Sequence, residues 1–246
     1  MAYNKVKPMN QHQNNSHPLN QYYSKIYRNY DLVNRLFTLG NDEKWRRQTA
    51  IECLKNDPTD IIDLCCGTGD LCINLSRKAK SNVRITGFDL NQQMLDMART
   101  KTKTLQNIKF LQGDVAEMPF NDESFDAMTI GFGFRNLTFE NHKVGIHLKE
   151  MNRILRKGAM LHILESSVPS NKLIRLFYKF YLRVILIPLG SLISGNWKAY
   201  SYLARSSANF FNAEEVNVIL MKYGFNILKV KTFFFGASNL ITAIKN

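Results

Sequence analysis

The chain has 246 residues, 45% of them hydrophobic, enough for one large α/β unit around a full core. Its four cysteines, Cys53, Cys65, Cys66 and Cys72, have neither zinc-ligand spacing nor a histidine cluster beside them, which argues against a metal site and a disulfide scaffold and leads us to expect a reducing, cytoplasmic compartment. The net charge of +13 is uneven: from Ser166 onward ten Lys or Arg accompany two acids, Glu214 and Glu215, a balance that attracts nucleic acid, anionic lipid or an acidic partner without choosing among them.

Residues 1–18, rich in Asn, Gln, His and Lys and lacking an apolar run, read as a disordered polar tail rather than a secretory leader. From 22 to 55 the pattern is helical: Tyr23, Ile26, Tyr27, Tyr30, Leu32, Val33 and Leu36 recur at helix spacing, then Trp45 to Leu54. A strand is predicted at 61–65, a helix at about 69–80, a strand at 83–89, and a helix after Asn91 carrying Met94, Leu95, Met97 and Ala98. Strands at 108–112 and 125–130 follow, the second running into Gly131-Phe132-Gly133. A helix over 138–155 stops at Lys157-Gly158, ahead of a strand at 160–164. After Glu165 come an apolar stretch at 171–194, a helix at 213–223 ending at Gly224, and two strands, 226–230 and within 233–244. The connection between those two is too short for a helical crossover, so they pair antiparallel. The fold class is therefore α/β and Rossmann-like: a seven-stranded, mostly parallel sheet with helices on both faces, closed by an antiparallel C-terminal hairpin. It forms a single unit over 19–246, with a helical substrate lid at about 171–210.

Between the first strand and its helix stands Asp63-Leu64-Cys65-Cys66-Gly67-Thr68-Gly69-Asp70. Strand, tight glycine turn and helix in that order seat a nucleotide-like cofactor at the carboxyl end of a parallel strand. Gly67 and Gly69 let the backbone approach a ligand with no Cβ in the way. The dinucleotide fingerprint asks for a third glycine where Cys72 stands. An acid before the turn, Gly-Thr-Gly within it and Asp89 about 20 residues on suit S-adenosylmethionine better. Asp89 ends the second strand, where a carboxylate accepts from vicinal ribose hydroxyls. Asp114 and Val115 follow the third, where an acid takes an adenine amine and an apolar neighbour covers the ring; Gly131 ends the fourth, beside the reacting end of the ligand.

These segments resemble a known family. Asp63 to Asp70, Phe88-Asp89, Met118-Pro119-Phe120, Phe125-Asp126 and Gly131-Phe-Gly-Phe-Arg135-Asn136 resemble the UbiE/MenG-type quinone C-methyltransferases of menaquinone and ubiquinone biosynthesis. Tyr30-Asp31-Leu-Val-Asn34, Trp45-Arg46 and Tyr200-Ser-Tyr202-Leu203 are similar to the same family, and the resemblance covers about 20–246. It implies S-adenosylmethionine at Thr68, Asp89, Asp114, Val115 and Gly131, a site completed by Asp63, Gly67, Gly69, Leu90 and Met94, with no metal. It implies transfer of a methyl group to a ring carbon of a prenylated hydroquinone, either demethylmenaquinol or the benzoquinol of the ubiquinone route. The acceptor pocket would take in Tyr30, Phe132, Tyr200 and Tyr202; core packing is the alternative for the last two.

Three residues are candidates for catalysis. Arg135 would stabilise a phenolate oxygen and order a water, or else form a structural ion pair. Asn136 would bond a quinol oxygen or cap the next helix. Asp70 would contact the reacting region or simply favour a helix N-terminus. His142, His147 and His162 read as helix or strand residues. Three departures from the family pattern stand out: Arg156-Lys157-Gly158-Ala159 and Glu165-Ser166-Ser167, each expected to alter a turn and its packing, and Arg205, a cation where an acid is usual, on the expected acceptor side.

Within 171–194, Arg175, Lys179 and Arg183 are four apart and share a face among Leu176, Phe177, Phe180, Tyr181 and Val184, and Pro188 is expected to break the run. Internal cations make a bilayer span costly, whereas a basic amphipathic helix resting on the inner membrane face suits a greasy substrate. A lid or homodimer helix is the alternative. Nucleic acid is not an expected partner: the corner Gly131-Phe132-Gly133 lacks the Asn/Asp-Pro-Pro-aromatic signature of amino-group methylation, and no Pro-Cys nucleophile occurs.

Overall fold

The computed structural model describes residues 18–246, built on a seven-stranded sheet of order β3-β2-β1-β4-β5-β7-β6. Strand β1 (Asp60–Leu64) runs centrally, parallel to β2 (Arg84–Asp89) on one side and β4 (Phe125–Gly131) on the other. Ile61, Ile62 and Leu64 are fully buried, because a mid-sheet parallel strand is covered on both faces. Strand β3 (Ile108–Gln112) extends one edge in parallel, and β5 (Leu155–Ser166) lies parallel beyond β4. Then β7 (Ser238–Lys245) enters antiparallel between β5 and β6 (Phe225–Phe233).

The helical run over 22–55 is three helices: α1 (Pro18–Ile26), α2 (Tyr30–Phe37) and α3 (Asn41–Cys53). Leu39 and Gly40, both at positive φ (52° and 75°), turn the chain between the last two. The expected tail lies outside the described residues, apart from Pro18, which opens α1. Helices α4 (Asp70–Ser76) and α5 (Gln92–Lys101) follow β1 and β2. The predicted helix over 138–155 starts later, as α7 (Val144–Ile154), and a short unpredicted helix α6 (Phe134–Thr138) precedes it; Phe139, extended, and Glu140, left-handed (φ 49°), keep the two apart. Lys157-Gly158 is no helix stop. It lies in a bulge of β5, where the register passes from Phe125↔Leu155 to Ala127↔Met160.

The apolar stretch is one continuous helix, Lys172–Ser194. It comprises α8 (Lys172–Tyr181), a wider π turn over Leu182–Leu186, and α9 (Ile187–Ser194). Pro188 does not break it. A proline lacks the N–H that would reach back one turn, and the π turn just before it makes room for the ring. By length and composition alone this helix could cross a membrane. Instead Leu182, Leu186 and Gly190, four apart, turn inward; Leu182 and Leu186 form a cluster with Ile26, Val33 and Tyr200, the last from α10 (Trp197–Ala208). The N-terminal helices and the helices from Lys172 to Ala208 thus share one core, separate from the clusters that cover the sheet. Helix α11 (Ala213–Lys222), started by an Asn212–Glu215 capping box, packs on β6.

Candidate active site

The chain enters the sheet at β1, works outward to β3 and returns to β4, so it turns to opposite sides after β1 and β4, and a crevice opens there at the carboxyl edge. The cleft there measures about 110 Å³. Of the expected cofactor residues it gathers Gly67, Asp89, Leu90, Met94, Asp114, Val115 and Gly131, together with Asn136, Tyr30 and Phe132. Gly67, at φ 54°, presents bare backbone to it. Cys65 (φ 53°) and Phe132 (φ 61°), the first residues past β1 and β4, are both left-handed, a strain of about 1 kcal/mol or more apiece. The two loops touch: a Cβ on Gly133 would stand 2.4 Å from the Cβ of Cys65.

Asp89 accepts the Gly67 N–H at Oδ2 and the Asn91 N–H at Oδ1, both at 2.8 Å. Burial pushes its carboxyl up, against the pull of those amides. Asn91 caps α5 by accepting the Met94 N–H (3.0 Å), and its side-chain amide donates to Asn20 Oδ1 (2.6 Å) and Ser24 Oγ (2.8 Å), which holds α1 across the cleft. Asp114 accepts from the Ala116 N–H (2.9 Å) and from Lys143 Nζ (3.0 Å). Partial burial would raise its carboxyl, but amide and ammonium hold it below the usual range. A carboxylate, a second acid and bare backbone at three strand ends are the acceptors and contact surface that an adenosyl group with vicinal hydroxyls requires.

Tyr30 and Phe132 also line a second, larger cavity of about 490 Å³, bordered by the long helix Lys172–Ser194. Phe37, Trp45, Phe177, Tyr178, Leu182 and Phe235 make its walls apolar, and two buried ion pairs interrupt them. In the first, the Arg135 backbone N–H donates to Glu165 Oε2 (2.9 Å), Nη1 donates to Ser206 Oγ (2.5 Å), and Nε, 3.7 Å from Glu165 Oε1, has no hydrogen-bond partner among the described residues. Burial pulls the Arg135 pKa down, but Glu165, then Tyr23, leave it above its ordinary value. In the second, Arg46 Nη1 meets Asp42 Oδ2 at 2.5 Å, and the guanidinium carbon stands 5.2 Å from the Phe132 ring centre. Asn136 is inside α6 and caps nothing. It donates to the Tyr23 hydroxyl (3.0 Å) and accepts from Tyr202 (3.4 Å).

Several expected residues lie elsewhere. Asp63 is buried behind the loop, accepting from the Thr129 hydroxyl (2.7 Å) and the Cys72 thiol (3.3 Å), and burial pushes its carboxyl up to about 7. Thr68 donates to Asp31 (2.6 Å), and Lys101 Nζ reaches Asp31 (2.9 Å), Thr68 (3.2 Å) and Asp70. Thr68, Gly69 and Asp70 therefore brace the loop against α2 and α5 instead of lining either cavity. Tyr200 is buried against Gly190 in the helical core and borders, with Tyr202, only a narrow crevice. Arg205 is at the surface, 3.0 Å from Glu140, and lines neither cavity. His162 is buried on β5, its pKa lowered to about 4 by burial. The sequence reading overlooked Asn20, Tyr23 and Lys143 and dismissed His147, whose Nε2 stands 3.8 Å from Asp114 in the cleft. It gave no role to Arg46 or Glu165, although both stand in segments it singled out.

This geometry has relatives. A sequence profile described as the ubiE/COQ5 methyltransferase family matches residues 9–245. The chain belongs to the ubiE/COQ5 methyltransferase family. It is an S-adenosylmethionine-dependent methyltransferase. The demethylmenaquinone methyltransferases of Staphylococcus aureus strains JH9 and Newman are each 32% identical to it over 219 residues, which is 89% of this chain and 89% of theirs. Among solved structures, a SAM-dependent methyltransferase from Aquifex aeolicus aligns with TM-score 0.55 at 17% identity, covering 76% of this chain and 82% of its own. One from Thermotoga maritima, described as a possible histamine N-methyltransferase, aligns with TM-score 0.60 at 20% identity, covering 91% and 100%. At such identities these two speak for the fold, and they share the SAM-dependent methyltransferase architecture.

Proposed function

We propose that the chain methylates a ring carbon of a prenylated hydroquinone, with demethylmenaquinol as the preferred acceptor and the benzoquinol of the ubiquinone route as the second. The observation that carries this reading is the apolar cavity of about 490 Å³ that meets the cofactor cleft at Tyr30 and Phe132 and holds a buried cation at Arg135. The relatives named demethylmenaquinone methyltransferase favour the naphthoquinol. S-adenosylmethionine supplies an electrophilic methyl on a leaving sulfonium. Asp89, Asp114, Val115, Leu90, Met94, Gly67 and Gly131 would hold it, while Asp63, Thr68, Gly69 and Asp70 keep the loop in shape. Ring carbon becomes a better nucleophile as its phenolic proton leaves, so a fixed positive charge beside the oxygen lowers the barrier. Arg135, kept charged by Glu165, would stabilise that oxygen; a guanidinium is a poor base, so the phenolic proton passes to water, and after methyl transfer the proton on the methylated ring carbon also leaves to water while the oxygen is reprotonated, which restores the quinol. Asn136, with Tyr23 and Tyr202, orients the wall between cleft and cavity. Tyr200 supports the lid core.

The test is turnover with methyl-labelled S-adenosylmethionine and two reduced short-prenyl acceptors, a demethylmenaquinol and a methoxybenzoquinol. Ring-carbon label on the first, at the higher kcat/KM, is expected. Label on neither, with cofactor still bound, contradicts the reading.

The lid is the proposed contact with the inner membrane face. Leu176, Phe180 and Val184 are exposed in one row, Phe177 and Phe235 at the cavity rim are 64% and 77% exposed, and Lys172, Lys179 and Arg183 flank them. No acid occurs between Glu165 and Glu214. At about 1 kcal/mol per cation near an anionic surface, replacing Lys172, Lys179 and Arg183 by Gln should weaken binding to anionic vesicles by roughly 100-fold. Equal binding to neutral and anionic vesicles counts against it, and a concentration-dependent mass in light scattering would point to a second copy on this face.

A further inference from the structure

We infer that Arg46 is a second acceptor-binding cation, which takes the other oxygen of the 1,4-dioxygenated ring while Arg135 takes the first; this rests on the hydroquinone reading above. The observations are local. Arg46 and Arg135 line the same cavity, each almost fully buried, in walls that are otherwise mostly apolar. An isolated guanidinium in such a place is strongly disfavoured, so its retention needs a counter-charge and a use. The counter-charges are Asp70 and, in direct contact, Asp42, which is itself fixed by the Thr38 hydroxyl (2.9 Å) and by its own N–H to Thr38 Oγ1 (3.1 Å). Of its five N–H donors, one at Nη1 goes to Asp42, the hydrogen-bond partner it has among the described residues. The others remain for a ligand in the cavity.

The position of Arg46 is also informative. Its guanidinium stands over Phe132, the strained residue that separates cleft from cavity. A planar acceptor held at only one oxygen can swing about that contact and bring the wrong ring carbon to the methyl donor. Donors at both oxygens fix the ring in its own plane. Asp42 stands one turn before Arg46 on the same helix, α3, and a pair that served only to stabilise that helix would not need to be buried in the wall of the cavity.

The experiment uses the full chain at saturating S-adenosylmethionine, with reduced short-prenyl demethylmenaquinol and the two analogues that each lack one ring hydroxyl. A hydrogen bond to a charged group implies a loss of roughly tenfold or more in kcat/KM for Arg46→Gln on the parent quinol. The same variant should lose little further on the analogue lacking the oxygen that Arg46 holds, and Arg46→Lys should recover part of the loss. The missing hydroxyl slows the ring chemistry equally for wild type and variant, so the cycle isolates the contact. For wild type alone, KM should rise on both analogues. Losses by the same factor on all three acceptors, or wild-type KM values that do not change with either hydroxyl, overturn the inference. A wild type inactive on every quinol overturns the hydroquinone reading and this inference with it.

Discussion

Glu165→Gln tests whether the buried pair under the lid is what keeps Arg135 charged and in place. Glu165 is 3% exposed and accepts at both oxygens: the Arg135 N–H (2.9 Å) at one, the Ser166 N–H and hydroxyl (each 2.8 Å) at the other, with Arg135 Nε 3.7 Å away. Glutamine keeps the size and one acceptor oxygen. Its NH₂ then confronts an N–H, and the guanidinium loses its counter-charge. Breaking a buried pair costs about 3–5 kcal/mol, and with one acceptor and Ser206 retained we expect a value near 3. For a chain of this length that corresponds to a fall in Tm of about 6–12 °C. Urea unfolding followed by circular dichroism reads the loss. Arg135→Met should also destabilise, by stranding Glu165. The double variant should be less damaged than the sum by about 1.5 kcal/mol or more. A Glu165→Gln protein within about 0.5 kcal/mol of wild type, or a strictly additive double variant, would refute the reasoning.

Asp63 makes stability pH-dependent. Burial raises its folded-state pKa to about 7, against about 3.9 in an unfolded chain, so the native state holds this proton more tightly. Its contribution to stability is full below about pH 4 and is lost as pH rises to about 7, a difference of at most about 4 kcal/mol. Asp63→Asn should therefore be flat in that window and gain on wild type toward pH 8; parallel curves would contradict the assignment. Gly133→Ala places a Cβ 2.4 Å from that of Cys65 and must part the two loops that frame the cleft. We expect about 1–3 kcal/mol of lost stability and at least a tenfold weaker S-adenosylhomocysteine titration. Unchanged affinity would mean that this contact does not shape the site.

What the sequence revealed of the site follows from topology. Once β1, β2, β3 and β4 are recognised as parallel strands, Asp89, Asp114 and Gly131 must converge, because strand ends share one edge of the sheet. Adjacency in the chain was a poorer guide. In the tight turn Gly67 faces the cleft, yet the next residue, Thr68, points to Asp31 and Lys101. Tyr200 and Tyr202 are two positions apart on a helix, about 200° around its axis, so they take up different surroundings, and neither lines the two large cavities. Tyr200 went to the core and Tyr202 to Asn136. Arg46 and Glu165 were in view but carried no signal: the partner of Glu165 is 30 residues away at Arg135, and although Asp42 is only four residues from Arg46, burial of that pair in a cavity wall is supplied by the fold alone. Helix lengths failed where backbone turned at single residues, as at Leu39 and Glu140.

The most direct measurement is a crystal structure of the chain with S-adenosylhomocysteine and a short-prenyl demethylmenaquinone. The expected result puts the quinone ring beside Phe132 with an oxygen at Arg135, and the prenyl chain along Tyr178 and Phe177 under the lid. A ring bound away from this cavity, with the cofactor product in its cleft, would contradict the central claim.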